Sequence, residues 1–201
     1  MTHSYYIPNA PTQVRMDQFL SISSQYGGLG KACRFLAVIN PVGRLVPSFT
    51  NGYSYGNTTR DLMYLCESTE FPGRTIESVE VRYHGNSYDI PIRGAKYDPV
   101  QMTFITRASS IERAFFDQWV NNINPIDTYN ANYRDDVRAD ISIYNISEIN
   151  GEFASCVFTL QNAFPSQVSP QAVTWADAEV LRLGVSFSYE FWYKYGQQYN
   201  Y

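Results

Sequence analysis

Residues 65–124 read LCESTEFPGRTIESVEVRYHGNSYDIPIRGAKYDPVQMTFITRASSIERAFFDQWVNNIN, and the succession of patterns in this stretch decides the fold. A Cys-bearing apolar run leads to the corner Phe71-Pro72-Gly73. Residues 75–83 then alternate, with Val79, Val81 and Tyr83 on one face and Ser78, Glu80 and Arg82 on the other. His84-Gly85-Asn86 supplies a turn, and residues 87–93 resume the alternation, Tyr88, Ile90 and Ile92 against Ser87, Asp89 and Arg93. The pattern predicts a hairpin with one packed face and one wet face. Pro91 cannot donate to a ladder and marks an edge or a bulge. Val100, Met102 and Phe104 give the packed face of the next strand. Ser109-Ser110-Ile111-Glu112 fits a capping box, with Ser109 as N-cap and Glu112 at the third helical position. Ile111, Phe115, Trp119 and Ile123 follow at four-residue spacing, so the helix should lay these side chains on a sheet. Pro125 ends it.

Outward from this stretch, the pattern stays β-rich. Residues 1–31 are polar and weakly patterned, with one helical turn near residues 16–20, and read as an arm. Its apolar side chains, among them Tyr5, Tyr6 and Phe19, need a neighbour to cover them. A first strand is predicted from Cys33 to Ile39, a loop over 41–60 and a second strand from Asp61 to Glu67, apolar on both faces. Residues 139–146 and 153–161 form a hairpin about Asn150-Gly151. Residues 163–171, with two prolines, read as a loop, and residues 180–195 as one long alternating strand. The expected organisation is an arm (1–31), one β-domain (32–195) and a Tyr-rich tail (196–201). The expected fold is mostly β: an antiparallel β-sandwich or barrel of about seven strands with one flanking α-helix over about residues 109–123.

Composition narrows the function. The chain has 201 residues, 44% hydrophobic and only 17% charged, with 17 tyrosines, which suits surfaces that become buried against a partner. A net charge of −4 without a Lys/Arg block lacks the clustered cations that tight nucleic-acid binding requires. No apolar run is long enough to span a membrane, and the N-terminus does not read as a signal peptide. Cys33, Cys66 and Cys156 are far apart and read as buried thiols of a protein made in a reducing cytosol. With His3 and His84 the only histidines, no metal-ligand cluster stands out.

Residues that could carry chemistry read better as structure. Glu77 and Glu80, and likewise Asp135 and Asp136, would point to opposite faces of a strand. His84 belongs to a turn. Cys156 has no histidine near it in sequence. Residues 27–31, GGLGK, lack the spacing and the following hydroxyl of a phosphate loop. No catalytic residue, cofactor or metal is expected.

Three stretches in order resemble the tail tube protein family of contractile-tailed bacteriophages: residues 65–73 into the hairpin, the strand–helix unit 100–122 with Trp119, and residues 160–175 followed by VSFSYEFWY at 185–193. The resemblance implies a β-sandwich whose copies form six-membered rings stacked into a hollow tube in the virion tail, assembled in the host bacterial cytoplasm. It implies as partners further copies of the chain, a sheath protein, baseplate proteins, a tape-measure protein and DNA that passes during ejection without tight binding. It places the wet face of the hairpin, Glu80, Arg82, Asp89 and Arg93, towards the lumen. Residues 1–31, 41–60 and 196–201 depart from the simplest family pattern, which leaves open a tube-initiating ring at the baseplate. A reading of another class is a small binding protein that uses its Tyr-rich surface.

Overall fold

A computed structural model describes residues 20–21, 31–47, 58–146, 156–176 and 178–195. The described residues form nine strands and three helices: β1 (Phe35–Pro41), α1 (Thr58–Leu65), β2 (Cys66–Thr69), β3 (Thr75–Tyr83), β4 (Asn86–Lys96), β5 (Val100–Ile105), α2 (Ile111–Ile123), α3 (Arg134–Val137), β6 (Ala139–Asn145), β7 (Cys156–Val168), β8 (Arg182–Ser188) and β9 (Phe191–Lys194). Seven strands make one antiparallel sheet in the order β1-β6-β7-β8-β5-β2, with β9 also on β7; β3 and β4 pair only with each other. The fold is thus mostly β, and the sheet does not close into a barrel.

β7 organises the sheet. Its first part pairs with β6 on one side and β9 on the other, and its last residues, from Phe164 on, pair with β8. The change of partner falls at Asn162, which adopts a left-handed conformation at φ 54°, a region asparagine tolerates better than most residues. Residues 163–168, expected as a loop, continue the strand. Pro165 is accommodated because this part of β7 ladders only to β8, and the register shifts between Pro165 and Gln167, where a missing N–H costs nothing. The predicted long strand 180–195 is divided into β8 and β9 at Tyr189-Glu190.

Alternation builds the core. Val100, Met102 and Phe104 on β5, Leu183, Val185 and Phe187 on β8, Ile141 and Ile143 on β6, and Ala37 and Ile39 on β1 all point into one buried cluster. Helix α2 adds Phe115, Phe116 and Trp119, all buried. Phe116 lies 5.2 Å from Phe104 and 6.0 Å from Phe187 between ring centroids. Burying each such ring contributes about 2–3 kcal/mol before entropy is subtracted. Ile111, at the start of the helix, is half-buried.

The helix begins differently from the capping-box expectation. Its N-cap is Ser110, at φ 50°, and no side chain caps it. Glu112 instead turns inward, fully buried, and accepts from the backbone N–H and the Nε of Arg107. The partner on offer is a guanidinium, a stronger donor than the capping amide.

The predicted strand at 61–67 is also corrected: residues 58–65 are helix α1, and only Cys66–Thr69 is strand. Leu62 is buried while Tyr64 is exposed. Asp61 in the first turn complements the helix dipole and also accepts from Arg107 at 3.0 Å. Arg107 thereby ties α1 to α2. The first strand runs two residues later than expected. Cys33 is exposed rather than buried, since it precedes β1. Of the arm, only Leu20, Ser21 and Lys31 fall among the described residues; the tail 196–201 and residues 48–57 of the loop 41–60 lie outside them.

Candidate assembly surfaces

The hairpin β3–β4 leaves the sheet as a free ribbon. Its turn residues His84 and Gly85 both have positive φ, 49° and 92°, the twist that matches two flanking strands. The register pairs Val79 with Ile90, Val81 with Tyr88, Glu80 with Asp89 and Arg82 with Ser87, and shifts between Ile76 and Ser78, opposite Pro91. Of the edge or bulge expected at the proline, the register shift beside it is the bulge. The packed face expected within the chain is not: Val79, Tyr88, Ile90 and Ile92 are all exposed. Sequence alternation reports that a face will be covered, and it cannot report whether the cover comes from the same chain. Glu80, Arg82 and Asp89 lie exposed on the ribbon, and Arg93 belongs to β4. Glu80 stands directly across from Asp89, a like-charge pair that weakens the ribbon.

Helix α2 is fastened to the rest of the domain by two side chains in its C-terminal half. The indole of Trp119 donates to the Val137 carbonyl at 2.7 Å, so α3 caps the helix–sheet junction. Asn122 donates to the Leu45 carbonyl at 2.7 Å. The turn after β1 passes against α3 so closely that a Cβ on Gly43 would sit 2.2 Å from the Asp136 carbonyl oxygen. Only glycine fits there.

No residue constellation for catalysis is assembled among the described residues. Glu77 and Glu80 are exposed on the ribbon and His84 sits in its turn. Asp135 pairs with Arg138 at 3.3 Å and Asp136 with Arg44 at 2.8 Å. Burial pushes the Cys66 thiol up to about 12, so it stays protonated and unreactive. Cys156 begins β7. Residues 27–30 of the phosphate-loop-like run lie outside the described residues. No group of His, Cys, Asp or Glu among the described residues could hold a metal ion, and no helix there is long and apolar enough to cross a membrane.

A β-sheet domain with a detached apolar ribbon is an assembly module in architecture. The sequence comparison is specific: the chain belongs to the phage tail tube protein family, whose model matches residues 35–195. This is a family of structural proteins, not of enzymes. No curated protein matches the chain. Solved structures share the fold at low identity. A chain from the anti-feeding prophage baseplate superposes with a TM-score of 0.58 at 14% identity, covering 84% of this chain and 96% of that one. A chain from the sheath/tube terminator of an extracellular contractile injection system gives 0.54 at 12%, covering 82% and 94%. One from the sheath–tube complex of such a system gives 0.52 at 14%, covering 90% and 98%.

Proposed function

We propose that the chain is the repeated subunit of the inner tube of a contractile phage tail. Six copies form a ring, rings stack into a tube inside a sheath on a baseplate, and tape-measure protein and DNA occupy the lumen. The observation that carries this reading is the ribbon β3–β4, which pairs with no other described strand and exposes Val79, Tyr88, Ile90 and Ile92. Two-stranded ribbons are marginal alone. Joined edge to edge around a ring, the ribbons make one continuous sheet, whose apolar face turns outward onto the domains of the ring and whose other face turns Glu80, Arg82, Asp89 and Arg93 towards the lumen. A mixed-sign wall grips a polyanion weakly, which suits a conduit.

The domain organisation fits the same reading: residues 32–195 as the ring-forming domain, and 1–31 as an arm that reaches an adjacent subunit through Tyr5, Tyr6 and Phe19. Native mass spectrometry and negative-stain imaging of the purified chain test it. A species of six times the 23.0 kDa chain, with rings or tubes in the images, is expected. A monomer at every concentration would sink it. Particle stoichiometry separates many stacked rings from a single initiating ring at the baseplate. Glu80→Lys with Asp89→Lys should leave rings intact, raise DNA affinity and steepen its salt dependence. Unchanged DNA affinity would remove these side chains from the lumen.

A further inference from the structure

We propose that the loop bearing Trp175 on one copy seats in an aromatic socket at the opposite end of a second copy, joining copies head to tail along β7. This rests on the tube reading above and supplies the contact between stacked rings.

The loop between β7 and β8 is a held finger. At its base the Ser169 N–H donates to the Gly184 carbonyl at 2.8 Å. Gln171 donates to the Thr106 hydroxyl at 3.1 Å and to the Arg182 carbonyl at 3.0 Å. Nearer the tip the Ala176 N–H donates to the Thr174 hydroxyl at 3.2 Å, a local turn that fixes the chain direction. So held, the finger presents Val173 at 81% exposure and Trp175 at 106%. A tryptophan with no cover at all is the side chain most enriched at the centre of interfaces, and a preorganised loop loses little entropy on docking.

The socket is equally fixed. Phe71 is half exposed and packs 5.1 Å from Phe158, which meets Trp192 edge-on at 5.4 Å. The Trp192 indole donates to the Gly73 carbonyl at 3.1 Å, which anchors the corner that carries Phe71. In front of this wall lies a cavity of about 230 Å³ lined by Phe71, Phe35, Asn145, Lys31 and Arg34. Its rim is cationic. The finger carries Glu179, whose side chain is 83% exposed and pairs with Arg182 only at 3.5 Å.

Placement selects the occupant. Asn145, which lines the cavity, pairs with Cys156, the first residue of β7, and Phe71 packs on Phe158 of the same strand, so the socket lies at the start of β7. The finger leaves its end. The 13-residue strand separates them by up to roughly 40 Å, so no copy fills its own socket. Finger and socket carry opposite charges, Glu179 against a rim of Lys31 and Arg34, and sit on different surfaces. Such a heterologous contact repeats without limit along an axis.

The test uses the full chain with p-benzoylphenylalanine in place of Trp175. On irradiation of assembled material, crosslinks to peptides holding residues 31–35 or 71–73 of another copy are expected. Trp175→Ala and Arg34→Glu should each raise the critical concentration for tube growth roughly tenfold or more, with ring mass and melting temperature unchanged. Adding Glu179→Arg to Arg34→Glu should restore growth. Tubes that grow normally from Trp175→Ala protein, or crosslinks to any other surface or to another protein, overturn the contact while leaving rings and tubes in place. Wild-type rings that never stack also overturn it. Wild-type chain that forms no rings overturns the tube reading, and the contact with it.

Discussion

The Asn162 side-chain amide donates to Glu190 Oε2 at 2.6 Å, and through this bond the switch point of β7 is tied to the break between β8 and β9. The Glu190 N–H returns a bond to the Gln161 carbonyl at 3.1 Å, and Arg134 reaches the same carboxylate at 2.6 Å. The Asn162 hydrogen bond above all holds the Glu190 carboxyl below its usual value of 4.5; burial opposes it, and Arg134 and Arg138 add to the lowering. A folded pKa below the unfolded one contributes stability above the unfolded value and loses it as pH falls through the folded one. Wild type should therefore melt above Glu190→Gln at pH 7, with the gap closing as pH falls below about 4.5. Melting temperatures across pH 2.5–7 check this; a gap that widens on acidification would show that Glu190 is not stabilising in its charged form.

Arg107→Ala removes the guanidinium that faces both the buried Glu112 and Asp61. The Arg107 backbone N–H still donates to Glu112, so one partner remains. Leaving a buried carboxylate without its cation costs about 3 kcal/mol, the lower end of the range for such deletions. Adding Glu112→Gln to Arg107→Ala should recover part of that loss. Urea denaturation of both variants measures it, and equal stability of the single and double variants would disprove the charge account.

Trp119→Ala opens a cavity between Phe115 and Phe187, whose rings lie 5.9 and 6.2 Å from the indole, and orphans the Val137 carbonyl. The two effects together should cost about 4–5 kcal/mol, a large share of the stability of an ordinary domain. Trp119→Phe keeps most of the packing and loses the donor, for about 1–2 kcal/mol. Denaturant midpoints give both values. A Trp119→Ala chain as stable as wild type would contradict its place at the junction.

Much of the fold was legible because local chemistry and long-range packing agree. The ribbon carries its own alternation and its own turn, and the stripe on α2 is broad enough to leave no alternative. The misreadings have local causes. In residues 61–67 the apolar side chains satisfy both a strand and a helical spacing, and seven residues are too few for the period to decide. Pro165 suggests a loop until β7 is seen to be unpaired on one side there. Glu112 has the position of a capping residue, but Arg107, five residues earlier, competes for it. The assembly surfaces were harder to read. Sequence marks Val79, Ile90 and Trp175 as apolar, yet only placement reveals that they stand exposed.

β7 bears on mechanics as well as on architecture. A single strand with β6 and β9 beside its first part and β8 beside its last offers a load path through covalent backbone from one end of the domain to the other. A pull between those ends stresses the flanking ladders in shear, so their hydrogen bonds must yield together and not peel apart in sequence. The domain therefore resists a pull along β7 as one unit, whereas a force that lifts the β3–β4 ribbon sideways meets no strand ladder to the sheet among the described residues.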